Sequence, residues 1–207
     1  MKSPLIAFTI LLFLGSCASV DTEKNVPPLT VAAYQQTVYN GMPQPIEVPR
    51  TDRGPLEIRY FSAGEEPDGE GSEDPPIAAG VYYVRVRQPG DDSGLMVEYH
   101  IGKAPVTIIA EPVQEAVYNG SPKSVAARSE PSLGLNAVYY PTREAREAAA
   151  GSSAAPDVRG YTRVERAPIE PGTYYVTVYY SGDANYQYTK FDIELIIHPA
   201  ARRPERQ

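Results

Sequence analysis

Gly80-Val81-Tyr82-Tyr83-Val84-Arg85-Val86 recurs 92 positions later as Gly172-Thr173-Tyr174-Tyr175-Val176-Thr177-Val178. Each copy has the period-2 alternation of a strand with one buried face. In the first, Tyr82, Val84 and Val86 fall on one side and Tyr83, Arg85 and Arg87 on the other. In the second, Tyr174, Val176 and Val178 point in, and Tyr175, Thr177 and Tyr179 point out. β-branched and aromatic residues suit a pleated, half-buried surface. Such a strand needs a second layer to cover it, so each copy is expected at the centre of its own small all-β unit.

Around these strands the rest of the chain repeats in the same order. Val38-Tyr39-Asn40-Gly41 returns as Val117-Tyr118-Asn119-Gly120, and Leu56 and Tyr60 return as Leu135 and Tyr139, all at an offset of 79. The Tyr-Tyr strand returns at 92, so the second copy carries 13 more residues between Tyr140 and Gly172. Finally, Val97-Glu98-Tyr99-His100-Ile101 is answered by Phe191-Asp192-Ile193-Glu194-Leu195-Ile196. Chance likeness among short β segments would not keep that order, and a repeat decides the architecture before anything else does.

The boundaries that follow are 29–103 for the first β-domain and 104–200 for the second, with almost no linker between them. Strands are expected near 29–38, 45–49, 56–61, 80–87 and 96–102, then near 106–116, 123–128, 135–140, 161–166, 173–180 and 188–197. Pro168-Ile169-Glu170-Pro171-Gly172-Thr173-Tyr174 has the form of the tyrosine corner of β-sandwiches. Residues 201–207 read as a disordered polar tail.

Ahead of the repeats, Lys2 precedes the apolar run Leu5 to Leu14, too short for a permanent membrane span and suited to an export signal. The run ends in Leu14-Gly15-Ser16-Cys17, which resembles the lipobox of bacterial lipoproteins. That resemblance implies cleavage of a signal peptide, 1–16, and acylation of Cys17 with diacylglycerol and an amide-linked chain of the palmitate kind. Several acyl chains on one residue anchor stably, where a single chain binds only marginally. The alternative is an ordinary signal peptide cut after Ala18. Ala18 at the following position, by the enterobacterial sorting pattern, implies the outer membrane or cell surface. Residues 17–28 then read as a tether. Cys17 is the chain's one cysteine, so no internal disulfide is available and each unit must hold by packing.

The two copies also resemble the bacterial surface modules called MBG or YDG domains, which are immunoglobulin-like repeats. The resemblance rests on Tyr39-Asn40-Gly41 and Tyr118-Asn119-Gly120, on Ala79-Gly80-Val81-Tyr82-Tyr83-Val84 and Pro171-Gly172-Thr173-Tyr174-Tyr175-Val176, and on Asn185-Tyr186. The last is present in the second copy alone; the first has Asp92-Ser93-Gly94 there. The family implies two tandem Ig-like β-sandwiches with a structural or adhesive role and no catalytic residues. A β-grasp-like unit with a docked helix competes with the sandwich.

Two insertions precede the Tyr-Tyr strand. Residues 64–74 hold six carboxylates, without the spacing of an EF-hand loop, and read as a solvated charge run. Residues 141–156 contain Thr142-Arg143-Glu144-Ala145-Arg146-Glu147-Ala148-Ala149-Ala150, able to form two helical turns with Thr142 as N-cap and Gly151 as the stop. Loops at one end of a sandwich are a common place for binding. The composition is odd in its 16 Tyr, 4 Phe and no Trp. Outward Tyr83, Tyr175 and Tyr179 are therefore the candidate ligand surface, since tyrosine offers rigid amphipathic contact area.

A formal charge of −7, one more negative if the leader is lost with Lys2, argues against nucleic acid as a partner. His100 and His198 are the two histidines, and neither sits in a nucleophile or zinc pattern. No metal site, cofactor or enzymatic activity is expected. The expectation is a lipid-anchored cell-envelope protein, held to the membrane through Cys17, whose Ig-like modules bind an unknown protein or glycan. The alternative is a structural spacer or assembly subunit that meets another envelope protein. Oligomeric state is left open.

Overall fold

The computed structural model describes residues 29–50, 54–89, 94–149 and 166–201. The signal peptide, Cys17 and the tether, residues 150–156 of the second insertion, the strand expected at 161–166 up to residue 165, and the tail from residue 202 on lie outside them. The fold is all-β with one short helix: two tandem sandwich units of the Ig-like kind.

The first unit is a four-stranded sheet of β1 (Tyr34–Val38), β2 (Glu57–Ser62), β3 (Gly80–Arg87) and β4 (Leu95–Gly102). Its order is β1-β4-β3-β2, with β1 parallel to β4 and the other pairs antiparallel. The second unit has the two short strands β5 (Thr107–Ile109) and β7 (Arg128–Glu130) and the main strands β6 (Val113–Val117), β8 (Asn136–Tyr140), β9 (Gly172–Tyr180) and β10 (Thr189–His198). The main sheet, β6-β10-β9-β8, repeats the first, again with a parallel outer pair. The two Gly-x-Tyr-Tyr-Val segments are thus interior strands of different sheets.

The tyrosine corner expected at Tyr174 is present, and the first unit has one as well. The Tyr174 hydroxyl donates to the Glu170 carbonyl at 3.1 Å, and the Tyr82 hydroxyl donates to the Ala78 carbonyl at 2.9 Å. In an immunoglobulin plan that corner opens the middle strand of a three-stranded C-F-G group, which is where β3 and β9 stand.

Each sheet buries one face. Val84 and Val86 pack with Tyr60, Val97, Tyr99, Ile101 and Ile46 in the first unit. Val176 and Val178 pack with Tyr139, Ile193, Leu195, Ile197 and Ile108 in the second. The opposing layer is thin. In the second unit it includes the β5–β7 pair; in the first it is extended chain without a ladder. The strand expected at 45–49 is replaced by such chain, because Pro45 and Pro49 cannot donate to a ladder; that expected at 123–128 is such chain until it enters β7 at Arg128, its Lys123 N–H donating to the Pro168 carbonyl. A side chain substitutes: the Gln35 amide bonds the backbone N–H and C=O of Glu47, both at 2.8 Å. Gln114 does the same to Ala126, at 2.7 and 2.8 Å. The run expected at 106–116 breaks into β5 and β6 around Pro112 for the same reason.

Candidate binding face and the junction

The core-facing side chains are used up by packing, so recognition falls to the outer faces and the ends. On the outer face of the first sheet, β3 contributes Val81, Tyr83, Arg85 and Arg87, β4 contributes Met96, Glu98 and His100, and β1 contributes Tyr34, Gln36 and Val38. The second sheet has Tyr175 where the first has Tyr83, and Glu194 where it has Glu98: Tyr83 pairs with Glu98 across β3 and β4, and Tyr175 with Glu194 across β9 and β10.

The described residues of both insertions, 64–74 and 141–149, fold back onto this outer face. In the first unit residues 63–74 close over Phe61, which is 1% exposed although it points away from the core. Tyr60 and Ser72 exchange backbone hydrogen bonds at 2.9 Å. The Arg85 guanidinium lies 5.2 Å from the Phe61 ring centre and donates to the carbonyls of Pro67 and Gly69. Gly71 is required there: its φ is +62°, and a Cβ would stand 2.8 Å from the Phe61 ring. The carboxylates of this loop are dispersed. Glu65 accepts from the Ser62 N–H and Glu73 pairs with Arg59 at 2.7 Å. Among the described residues no group of three or more His, Cys, Asp or Glu is placed to hold a metal ion.

In the second unit the insertion supplies a helix, α1 (Arg143–Ala149), capped by the Thr142 hydroxyl accepting from the Ala145 N–H at 3.1 Å. So short a helix is unstable alone and holds by docking. Tyr140, the counterpart of Phe61, is likewise 1% exposed. The guanidinium groups of Arg143 and Arg146 stand 5.1 and 5.6 Å from the Tyr175 ring centre. Arg143 also reaches Glu194 at 3.5 Å and Arg146 reaches Asp192 at 3.9 Å. Thr177, expected to point to solvent, is 5% exposed and donates to Asp192 at 2.7 Å. Both of these residues lie on the face that α1 helps to cover.

The predicted ligand residues therefore have three different surroundings. Tyr175 carries the two arginines of α1. Tyr179 leans on Tyr188, with ring centres 6.5 Å apart. Tyr83 is exposed, and among the described residues no guanidinium stacks on it. Around Tyr83 the outer face exposes Tyr34, Val38, Val81 and Met96. In its middle His100 lies 2.6 Å from Glu98, and the Tyr34 ring meets the His100 ring edge-on at 5.0 Å. Tyr34, Met96, Glu98 and His100 were not singled out from the sequence. The signal was their register against Tyr83, which requires knowing that β1 lies parallel beside β4.

A second arrangement joins the units. The β9–β10 connection, Gly182-Asp183-Ala184-Asn185-Tyr186, reaches out of its own sheet to the end of the first unit. The Asn185 side-chain oxygen accepts from the Ala79 N–H at 2.9 Å. The backbone pairs with Ala104 on both sides: the Ala104 N–H donates to Asn185, and the Gln187 N–H to Ala104, at 2.8 and 2.9 Å. Tyr186 packs edge-on against Tyr39 of the first unit, centres 5.3 Å apart, and Lys103 donates to the Asp183 carbonyl. The loop's shape comes from Asp183. One of its oxygens accepts from the N–H groups of Asn185 and Tyr186, the other from the Tyr180 hydroxyl at 2.7 Å. These bonds to the ionised form hold the Asp183 carboxyl below its ordinary range, the Tyr180 hydroxyl bond contributing most. The same bond pushes the Tyr180 phenol up to about 12. Gly182, at φ +76°, likewise needs to be glycine, since a Cβ there would stand 3.0 Å from the Tyr188 nitrogen. The Asn-Tyr pair is thus a junction element, which accounts for its presence in the copy that has a unit before it.

No family model matches the chain, and no curated protein sequence does. Solved structures with similar local geometry are multi-domain proteins. The N-terminal four Ig domains of Dscam1 isoform 7.44 are 14% identical over 81% of this chain and 44% of theirs, with a TM-score of 0.34. Sidekick-1 immunoglobulin domains 1–4 are 13% identical over 83% of this chain and 48% of theirs, with a TM-score of 0.31. Drosophila N-cadherin EC1-3 is 13% identical over 84% of this chain and 67% of its own, with a TM-score of 0.27. The chain spans less than half the length of the first two. Overlap this slight carries no further argument, and the sheet order above rests on its own hydrogen bonds.

Proposed function

We propose that this chain is a lipid-anchored, non-enzymatic protein of the bacterial cell envelope whose two Ig-like repeats, of the MBG or YDG type, present a binding face at a fixed distance from the membrane. The observation that carries this reading is the contrast between the outer faces: the Tyr83 region of the first sheet is open, while the corresponding Tyr175 region of the second is covered by the chain's own helix. Exposed aromatic and apolar groups clustered on one face are a recognised mark of an interaction surface. The anchor is Cys17, with residues 18–28 as tether. The partner is a protein or glycan outside the lipid, and outer-membrane or surface placement follows from Ala18 after the cysteine.

A photo-crosslinking residue placed at position 83, and separately at position 175, tests the face in intact cells. An adduct at 83 with none at 175 is the expected result; no adduct at 83 overturns the reading. Cys17→Ser is expected to release the chain from the membrane fraction and abolish metabolic labelling with palmitate.

The junction favours a second reading, a rigid spacer that meets another envelope protein. It predicts adducts at the ends of the tandem units and none at Tyr83.

A further inference from the structure

The second unit contains, in its own chain, a specimen of what covers this kind of face. At Tyr175 and Glu194 the cover is a two-turn helix that lays two guanidinium groups against one phenol ring and turns the same two groups to Asp192 and Glu194. The first sheet keeps the corresponding phenol and carboxylate, Tyr83 and Glu98, opposite each other in the same antiparallel register. Its own insertion does not supply the cover. That loop closes over Phe61 and Arg85, on the β2 side, and its backbone carbonyls rather than its side chains meet the Arg85 guanidinium. A tyrosine face with an adjacent carboxylate is chemically suited to arginine, whose planar group stacks on the ring while its N–H groups reach the acid.

We infer that the open face of the first sheet, Tyr83 and Glu98 with Met96 and Tyr34 beside them, is a docking site for a short arginine-bearing helical segment of a partner protein, seated as α1 is seated on the second sheet. Glu98 already holds His100 at 2.6 Å, and a carboxylate has acceptor capacity for an additional fork of N–H donors. Met96, which stands where the second sheet has Asp192, replaces the second acid with a flexible apolar contact. The first sheet should therefore prefer one arginine followed one turn later by an apolar side chain, where the second takes two arginines. This inference rests on the proposal that the Tyr83 face binds a partner, and it names the partner's chemistry.

The test uses the full 207-residue chain, isotope-labelled, and a helix-stapled peptide carrying the sequence of residues 142–149. Saturable chemical-shift changes centred on Tyr83, Glu98 and Met96 are expected. Exchanging both peptide arginines for glutamine should remove them. Tyr83→Ala should weaken binding about two- to fivefold, the size of one stacked cation, whereas Tyr175→Ala should leave the changes at the first sheet in place. A peptide in which the second arginine becomes leucine should bind at least as well. Absence of saturable changes, equal changes with the glutamine peptide, or changes confined to the second sheet overturn the inference. So do concentration-dependent changes at Tyr83 without peptide, which would assign the face to a second copy of the chain. If the peptide fails while the position-83 adduct forms in cells, the face binds something other than an arginine helix. If both fail, the binding reading fails with it.

Discussion

The two units share a strand order, a tyrosine corner, a Gln-to-backbone clasp and a core, and they differ in how they close the outer side of the same sheet. The first uses a glycine-rich acidic loop pinned by Arg85, a residue of the sheet itself. The second uses a helix whose arginines reach across from the insertion. In each case the buried residue under the cover, Phe61 or Tyr140, is the one that follows the core tyrosine of the strand, Tyr60 or Tyr139. The lesson is that a sheet too small to rely on one core builds a second, shallower one on its back, and that the cover can be rebuilt without disturbing the front.

The largest expected effect comes from removing what lies under the covers. Phe61→Ala should destabilise the first unit by about 3 kcal/mol or more, within the range for emptying a buried aromatic site. Its loop should lose hydrogen-exchange protection at Ser72, which bonds to Tyr60. Tyr140→Ala should do the same in the second unit and release α1. Global protection measured separately at Val84 and Val176 distinguishes the units. A loss shared equally by both would show that they unfold as one body rather than as two.

Much of this was legible in the chain, for physical reasons that can be named. Strict alternation in Tyr82-Tyr83-Val84-Arg85-Val86 assigned both the strand and its faces. The Pro-Gly-x-Tyr spacing assigned the tyrosine corner. The Thr142 cap and an alanine-rich stretch allowed two helical turns, with a mobile loop as the competing reading. What was not legible depended on pairing between distant segments. Extended chain at 45–49 looks like a strand because its side chains alternate, yet its prolines deny it a ladder. Thr177 alternates outward and is nonetheless buried, because α1 helps to cover that face. The open neighbourhood of Tyr83 depends on β1 lying parallel to β4, which no local pattern states.

The next effect concerns the junction, where the units are also unequal. Asn185 docks on the Ala79 N–H, and the position corresponding to Ala79 in the second unit is Pro171, which has no N–H to offer. The donor end is therefore not repeated. Asn185→Ala leaves a part-buried N–H without its partner, a loss of about 1 to 3 kcal/mol at the junction. The folded units should survive, and residual dipolar couplings should change from one alignment tensor to two. Retention of a single tensor would mean that Tyr39, Tyr186 and the Ala104 backbone hold the units without it.

Acid should act on the same place. The Asp183 carboxyl is held below its ordinary value of 3.8, first by the Tyr180 hydroxyl and then by the N–H groups of Tyr186 and Asn185. A carboxyl depressed in the folded state contributes stability that is present above the unfolded value and is lost as the pH falls through the folded one. The junction should therefore loosen below about pH 3.8, visible as the same split in alignment, while Asp183→Asn should make the alignment insensitive to pH across that window.

The smallest effect separates the two covers most finely. Arg143 and Arg146 are partly solvated ion-pair partners, and exposed pairs of that kind are worth about 1 kcal/mol or less, with a similar amount for a stacked cation. Arg143→Gln with Arg146→Gln should loosen α1 alone, read as faster exchange along the helix with β9 unaffected. Arg85→Gln in the first unit removes a cation that stacks on Phe61 and also satisfies the carbonyls of Pro67 and Gly69, so it should cost more than either helix arginine alone. A smaller loss at Arg85 would mean that the loop stays down through Gly71 and the Tyr60–Ser72 pair, and that its arginine is as replaceable as those of the helix.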